Sequence, residues 1–309
     1  MSKLDNILIY QWHAWNGFLI SHLTADYCRM EANYDDDISD IERHLTPNIR
    51  AVLLQVNLSN SAGFPARRPQ LIQALKERNL LVLNTEVDDI SKSTLHQLLE
   101  KAALPSAKAT ENGPEDQLLF IKTNLNWGGG AEQRLPDELR GILPVQQSAL
   151  LKSWDSYYTI KRRDIRPELW SDPGIVIENY IANAENSFYR VYGFGDAIVI
   201  VKAHSDALIK KISGHPDDKN LLFSKRQLAE QKTGLAAGLQ QTIQTFITHY
   251  PLAYFCLDIV HDTKNYFIID LNLTPYAGAN RQTDEAVNFL CLGAHGYIKR
   301  KLQEKSTLA

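Results

Sequence analysis

The segments Ala253-Tyr-Phe-Cys-Leu-Asp-Ile-Val-His261 and Tyr266-Phe-Ile-Ile-Asp-Leu-Asn-Leu-Thr-Pro275 decide how this chain is read. Two apolar runs flank Asp262-Thr-Lys-Asn265, a polar turn that marks a β-hairpin. Strand side chains alternate between faces, so Asp270 and Asn272 share one side. The hairpin brings Asp258 onto the neighbouring strand. Two carboxylates and one amide oxygen then converge on one surface. Hard oxygen donors of this kind, few in number, suit Mg²⁺ that is also held by substrate phosphates. Acidic residues on a solvated strand face are equally ordinary, so the alternation alone leaves both readings open.

Outward from the hairpin, the front of the chain alternates strand and helix signals. Ile7 to Tyr10, Ala51 to Asn57 and Leu80 to Asn84 read as strands, and Pro69 to Asn79 as a helix with Leu71, Ile72 and Leu75 on one side. This pattern predicts a small open α/β sheet over residues 1–86. Asp88 to Thr94 has the acidic and hydroxyl residues of a helix start, and Leu95, Leu98, Leu99 and Ala102 continue it until Leu104-Pro105. Gln117 to Thr123 is a strand. Residues 131–173 hold Pro136, Pro144, Pro167 and Pro173, so short irregular elements are expected there. Strands follow at Gly174–Ile181, Phe188–Gly193 and Ala197–Lys202. Ser224 to His249 reads as one long helical stretch, and Asp284 to about Leu302 as the last helix.

Phe120-Ile-Lys122 runs into Trp127-Gly-Gly-Gly130. A lysine at a strand end can neutralise phosphate oxygens, and glycines let backbone N–H groups approach them. Three glycines are more often a plain flexible loop. The segment is not a Walker loop, and Gly193-Phe-Gly195 lacks the third glycine of a dinucleotide fingerprint.

In this order the pieces resemble the ATP-grasp superfamily from about Asn84 to Gly278, close to two thirds of the chain. Asp89-Ile-Ser-Lys92 through Ala102-Ala-Leu-Pro105 is similar to the family's helix with an ATP-contacting lysine, at Lys92. Lys122 matches its second nucleotide lysine, ahead of the phosphate loop Gly128, Gly129 and Gly130. Ile175-Val-Ile-Glu-Asn-Tyr-Ile181 resembles the interlobe segment that holds the adenine edge, at Glu178, Asn179, Tyr180 and Ile181. Tyr189-Arg190-Val191 matches the strand whose arginine reaches the phosphates, and Lys202 a further phosphate contact. Asp258, Asp270 and Asn272 match the magnesium ligands, and Thr274-Pro275 the exit from the hairpin. The family usually has glutamate at the Asp270 position, and aspartate offers the same chemistry. It often has an acidic residue where Phe188 stands, which leaves Glu185 as the ribose candidate. The stretch between Lys122 and Glu178 is long for the family and reads as an insertion at about 131–173.

The resemblance implies an α/β fold with α+β lobes: an ATP-grasp fold behind an N-terminal Rossmann-like domain. That domain would span 1–86, a small nucleotide-covering lobe 87–180, and a C-terminal lobe with the acidic hairpin 181–309. It implies ATP and Mg²⁺, with Mn²⁺ as the alternative ion. It implies an ADP-forming ligase that joins a small-molecule carboxylate to an amine or thiol through an acyl phosphate, with Arg190, Lys122 and Arg281 in catalysis. Arg281 would hold a substrate carboxylate bidentately, against the plain reading of a surface arginine. Dimers are common in such a family, so a homodimer is one expectation. A kinase acting on a hydroxyl is the alternative if Lys161-Arg-Arg163 and Lys210-Lys211 line the cleft. A nucleotide-binding module without turnover is the other.

The remaining features exclude more than they add. The chain has 309 residues, 44% hydrophobic and 22% charged, which gives ample material for a core in two domains or one lobed domain. A net charge of −3 disfavours a nucleic-acid partner, since phosphate contacts need a concentrated basic face. No apolar run approaches the ~20 residues of a membrane span, and Met1-Ser-Lys-Leu-Asp-Asn6 lacks a signal-peptide layout. Cys28, Cys256 and Cys291 stand far apart, which suits a reducing compartment, so a cytoplasmic location is expected. His13, His204 and His215 form no metal-spaced pair, and Ser59, Ser61 and Gly63 make no nucleophile elbow. Trp12, His13 and Trp15 follow the first strand, where open α/β sheets place ligand loops. Packing of that loop onto the core is the favoured reading.

Overall fold

The computed structural model describes residues 3–12, 17–143, 151, 153–207, 215–216, 220–277 and 283–308. Arg281, Lys210, Lys211, His13 and Trp15 lie outside them. The α/β architecture expected from the sequence is present, as one parallel and two antiparallel sheets.

The first sheet holds β1 (Ile7–Trp12), β2 (Arg29–Glu31), β3 (Ala51–Val56) and β4 (Leu81–Leu83). All pairings are parallel, in the order β2-β1-β3-β4. β1 and β3 read as continuous apolar runs because both faces are covered. Leu8, Tyr10, Val52 and Leu54 pack with Leu71 and Leu75 of α1 (Arg68–Glu77). Ile7, Ile9, Ala51 and Leu53 pack toward the rest of the chain. β2 has only three residues, too few for its alternation to show in the sequence.

Next comes α2 (Lys92–Lys101), capped by the Ser91 side chain on the Thr94 N–H, with Leu95, His96 and Leu99 buried. The second sheet has the order β6-β5-β7, from β5 (Leu118–Thr123), β6 (Tyr158–Lys161) and β7 (Ile175–Asn179). The third runs β10-β9-β8-β12-β13, with β11 also on β9. Its strands are β8 (Ser187–Phe194), β9 (Ala197–His204), β10 (His215–Pro216), β11 (Leu221–Ser224), β12 (Tyr254–His261) and β13 (Tyr266–Asn272).

The long helix read over Ser224–His249 is two helices, α3 (Lys225–Ala229) and α4 (Ala237–His249). Gln231 at φ 55° and Gly234 at φ 68° break it, since left-handed backbone cannot continue a right-handed helix. Ser224 caps α3 in a reciprocal pair with Gln227. The last helix, α5 (Asp284–Leu308), runs farther than its apolar spacing suggested. It packs Ala286, Leu290, Ala294 and Ile298 between the first and third sheets. Asn84, at φ 58°, ties those sheets directly. Its Oδ1 accepts from the N–H groups of Ala253 (2.9 Å) and Tyr254 (3.1 Å), and its Nδ2 donates to the Tyr254 carbonyl. Among the described residues no helix is long and apolar enough to cross a membrane.

Candidate active site

The antiparallel register places Arg190, Asp258 and Asp270 side by side on β8, β12 and β13. Directly opposed residues share a face, so the three side chains form a line across the sheet. Arg190 grips Asp258 with both arms, Nε to Oδ1 at 2.8 Å and Nη2 to Oδ2 at 3.3 Å. Burial alone would ease the proton off Arg190, but Asp258 reverses this and holds the guanidinium charged well beyond its ordinary range. Asp258 and Asp270 are both buried. Lys92, also buried, projects from the first turn of α2 and pairs with Asp270. Its Nζ also donates to Asn126 Oδ1 at 3.2 Å.

A second cluster adjoins the hairpin. Lys122 Nζ on β5 lies 2.7 Å from Glu178 Oε1 on β7 and donates to the Ile269 carbonyl at 3.4 Å. His96 Nε2 lies 3.1 Å from the same Glu178 oxygen. Burial pushes Glu178 up, but Lys122 and His96 outweigh it and lower its pKa from 4.5 to about 2. His96 follows Lys92 by one helical turn, so α2 presents both to the site. That spacing is the signal that would have found His96.

The phosphate-loop candidate takes left-handed backbone at three successive residues, two of them glycines. Trp127, Gly128 and Gly129 take φ of 47°, 67° and 79°. A Cβ on Gly130 would stand 2.7 Å from the Trp127 ring. The loop is moored by residues that sequence reasoning passed over. The Asn126 N–H donates to Ser59 Oγ at 2.7 Å, and the Ser59 N–H donates to Glu132 Oε1 at 2.6 Å. Burial pushes the Glu132 carboxyl up, against the bonds from Ser59 that lower it. A continuous chain therefore runs Glu132–Ser59–Asn126–Lys92–Asp270. It joins the first sheet, the glycine loop, α2 and the acidic hairpin. No periodicity signals it, because its members lie far apart in sequence.

The other candidates fall as follows. Asn272 Oδ1 accepts from the Thr274 N–H at 2.8 Å and from its Oγ1 at 3.2 Å, and Thr274 Oγ1 reaches Asn57 Oδ1 at 2.8 Å. The N–H groups of Asn179 and Tyr180 bond the carbonyls of Ala107 (2.7 Å) and Leu118 (3.1 Å). The Asn179 side chain accepts from Gln117 at 2.8 Å. Glu185 Oε2 and Lys202 Nζ meet at 3.5 Å, with His261 Nε2 at 3.6 Å from the same oxygen. The basic run serves elsewhere. Lys161 and Arg163 pair with exposed Asp116 at 3.1 and 2.8 Å, and Arg162 holds Gln117 and the Thr110 carbonyl. Trp12 packs its ring 5.5 Å from that of Phe64.

The hairpin's donor set fits a small hard cation: two buried carboxylates and an amide oxygen on one face. No group of three or more His, Cys, Asp or Glu side chains that could hold a metal occurs among the described residues. An ion here would complete its shell with oxygens from outside the chain, as Mg²⁺ commonly does.

These lobes and this topology make an ATP-grasp fold. A D-alanine–D-alanine ligase from Bacillus anthracis aligns over 97% of this chain and 99% of its own, with a TM-score of 0.50 and 11% identity. The ATP-grasp ligase PsnB with a minimal precursor aligns over 94% of this chain and 99% of its own, at TM-score 0.53 and 11% identity. PsnB with that precursor, Mg and ADP aligns over 96% and 100%, again at 0.53 and 11%. No protein-family model matches the sequence. No curated protein matches it either.

Proposed function

We propose that the chain is an ATP-dependent ligase that joins a carboxylate to an amine or thiol, releasing ADP and phosphate. The carrying observation is that Lys92 and Lys122 of one lobe reach the acidic hairpin of the other, at Asp270 and at the Ile269 carbonyl, beside the buried Arg190–Asp258 pair. Residues 1–86 would serve the acceptor, 87–180 would cover the nucleotide, and 181–309 would carry the acidic hairpin. Asp258, Asp270 and Asn272 would hold Mg²⁺, which would supply positive charge against the phosphates.

The chain's own groups then divide the work. Lys92, Lys122 and Arg190 spread the charge that develops on the transferred phosphoryl group. Each sits beside a carboxylate now, so nucleotide binding exchanges one set of oxygen partners for another. Glu178 holds Lys122 in place through their 2.7 Å contact. With the Asn179 and Tyr180 N–H groups committed, Ile181 is the position left to meet an adenine edge. Glu185 stands at the rim for a ribose, beside Lys202. Gly128–Gly130 close over the phosphates and exclude water from the acyl phosphate. Positioning and charge stabilisation suffice for phosphoryl transfer, so no protein nucleophile is required.

The test is product analysis with Mg·ATP and a pooled amino-acid and metabolite extract. Extract-dependent ADP with matching free phosphate supports the ligase. ADP without phosphate makes the chain a kinase, and AMP as the main nucleotide rules out the acyl phosphate.

A further inference from the structure

Two buried glutamines lie at the carboxyl ends of the central parallel strands. Gln11 on β1 and Gln55 on β3 are register partners, 1% and 0% exposed. Among the described residues, Gln11 Nε2 and both amide atoms of Gln55 have no hydrogen-bond partner. Such groups cost stability when buried unpaired, and native interiors rarely tolerate three together. A flipped Gln55 amide changes nothing, because both its ends are orphaned.

Their place in the fold is functional. Period-two alternation continues Ile7 and Ile9 into Gln11, and Ala51 and Leu53 into Gln55. That face packs on Tyr192, Tyr254 and Cys256 of the third sheet. The opposing stripes change character too. Phe194 and Tyr192 lead to Arg190, and Tyr254 and Cys256 lead to Asp258. Asn57, two residues past Gln55, already touches Thr274 at the hairpin exit. The two apolar stripes therefore turn polar together, beside the candidate active site.

We infer that Gln11 and Gln55 form a subsite for a neutral carboxamide of the acceptor substrate. This rests on the ligase reading above. A carboxamide carries C=O and N–H side by side. Its oxygen accepts from Gln55 Nε2 and Gln11 Nε2, and its N–H donates to Gln55 Oε1. All three orphans are satisfied at once. A carboxylate would place an anionic oxygen against Gln55 Oε1, and an ammonium would face two N–H donors. A site built to pair a substrate N–H rejects an analogue lacking it.

The test is a ¹⁵N NMR titration of the full chain with acetamide, acetate and N,N-dimethylacetamide. The side-chain NH₂ signals are assigned from Gln11→Leu and Gln55→Leu. Acetamide should shift both NH₂ pairs saturably. Acetate and dimethylacetamide should bind at least about tenfold more weakly. Gln55→Leu should abolish the acetamide response and leave the thermal midpoint unchanged or higher, since it removes two orphans. Gln55→Glu should lose acetamide as well. No saturable shift with acetamide, as when a buried water alone fills the gap, overturns the inference, and so does an equal response to acetate. The titration needs no nucleotide. If acetamide binds but no ADP forms with any carboxamide, the ligase reading fails alone. If ligation proceeds and Gln55→Leu does not alter it, the subsite fails alone.

Discussion

The two halves of the candidate site are built by different physics. Arg190, Asp258 and Asp270 stand on three hydrogen-bonded strands, so backbone register fixes their spacing before any side chain acts. The Asn126–Gly130 loop is instead held by the Asn126 N–H bond to Ser59 and the Lys92 bond to the Asn126 side chain, with Glu132 holding Ser59 in turn. Sites on regular elements are held more tightly than sites on loops. On the proposed reading, the difference separates a rigid platform from a loop that closes over the nucleotide. Mutations in the first half should abolish chemistry, and mutations in the second should weaken nucleotide retention.

The platform gives the largest expected effect. Asp270→Ala removes an oxygen donor from the hairpin and takes the carboxylate from buried Lys92. Phosphate release from Mg·ATP in the product assay should fall by about a thousandfold or more. Asp270→Glu should retain a measurable part of it. Activity near that of the unaltered chain after Asp270→Ala would remove the hairpin from the site altogether.

Glu178 sharpens the comparison through pH. Its folded pKa of about 2 lies below its ordinary 4.5. A depressed carboxylate stabilises the fold fully above the unfolded value, and the contribution is lost as pH falls through the folded value. The shift corresponds to about 3 kcal/mol, fading between pH 4.5 and 2. Urea titrations across that range should show a shallower acid loss for Glu178→Gln than for the unaltered chain. Identical slopes would mean that Lys122 and His96 do not hold this carboxyl ionised.

The cover should respond more mildly. Glu132→Ala cuts the tie from the Ser59 N–H, and one lost charge-assisted bond is worth roughly tenfold in binding. Calorimetry with Mg·ADP should show that weakening. Glu132→Gln keeps an acceptor for Ser59 and should fall between the two. An unchanged affinity in Glu132→Ala would mean the loop is ordered without its mooring.

The same division governs what the sequence shows. The hairpin was legible because strand alternation is local, and Asp270 and Asn272 reveal their common face by spacing alone. Lys92 and Lys122 were legible through motif order. Their partners were not, because Lys92–Asp270 spans the whole small lobe and Lys122–Glu178 crosses an insertion. Ser59 and Glu132 are ordinary residues in their own segments, and only tertiary contact gives them a role. Gln11 and Gln55 sit inside strands that read as apolar runs, where one polar residue looks like noise. The helix over Ser224–His249 failed for a local reason, since apolar spacing persists across a turn that backbone conformation interrupts.

That turn supplies the smallest effect and a control for the rest. Gly234 has φ +68°, and a Cβ built on it meets nothing within 4 Å. Gly234→Ala therefore carries only the conformational cost of left-handed backbone, roughly 1 kcal/mol. It should lower the urea midpoint slightly and leave Mg·ADP affinity unchanged. The turn joins α3 to α4, and none of the site side chains named above lies on either helix. A fall in nucleotide affinity on Gly234→Ala would mean that the α3–α4 turn communicates with the glycine loop. The loss seen in Glu132→Ala could then no longer be assigned to the Ser59 tie alone.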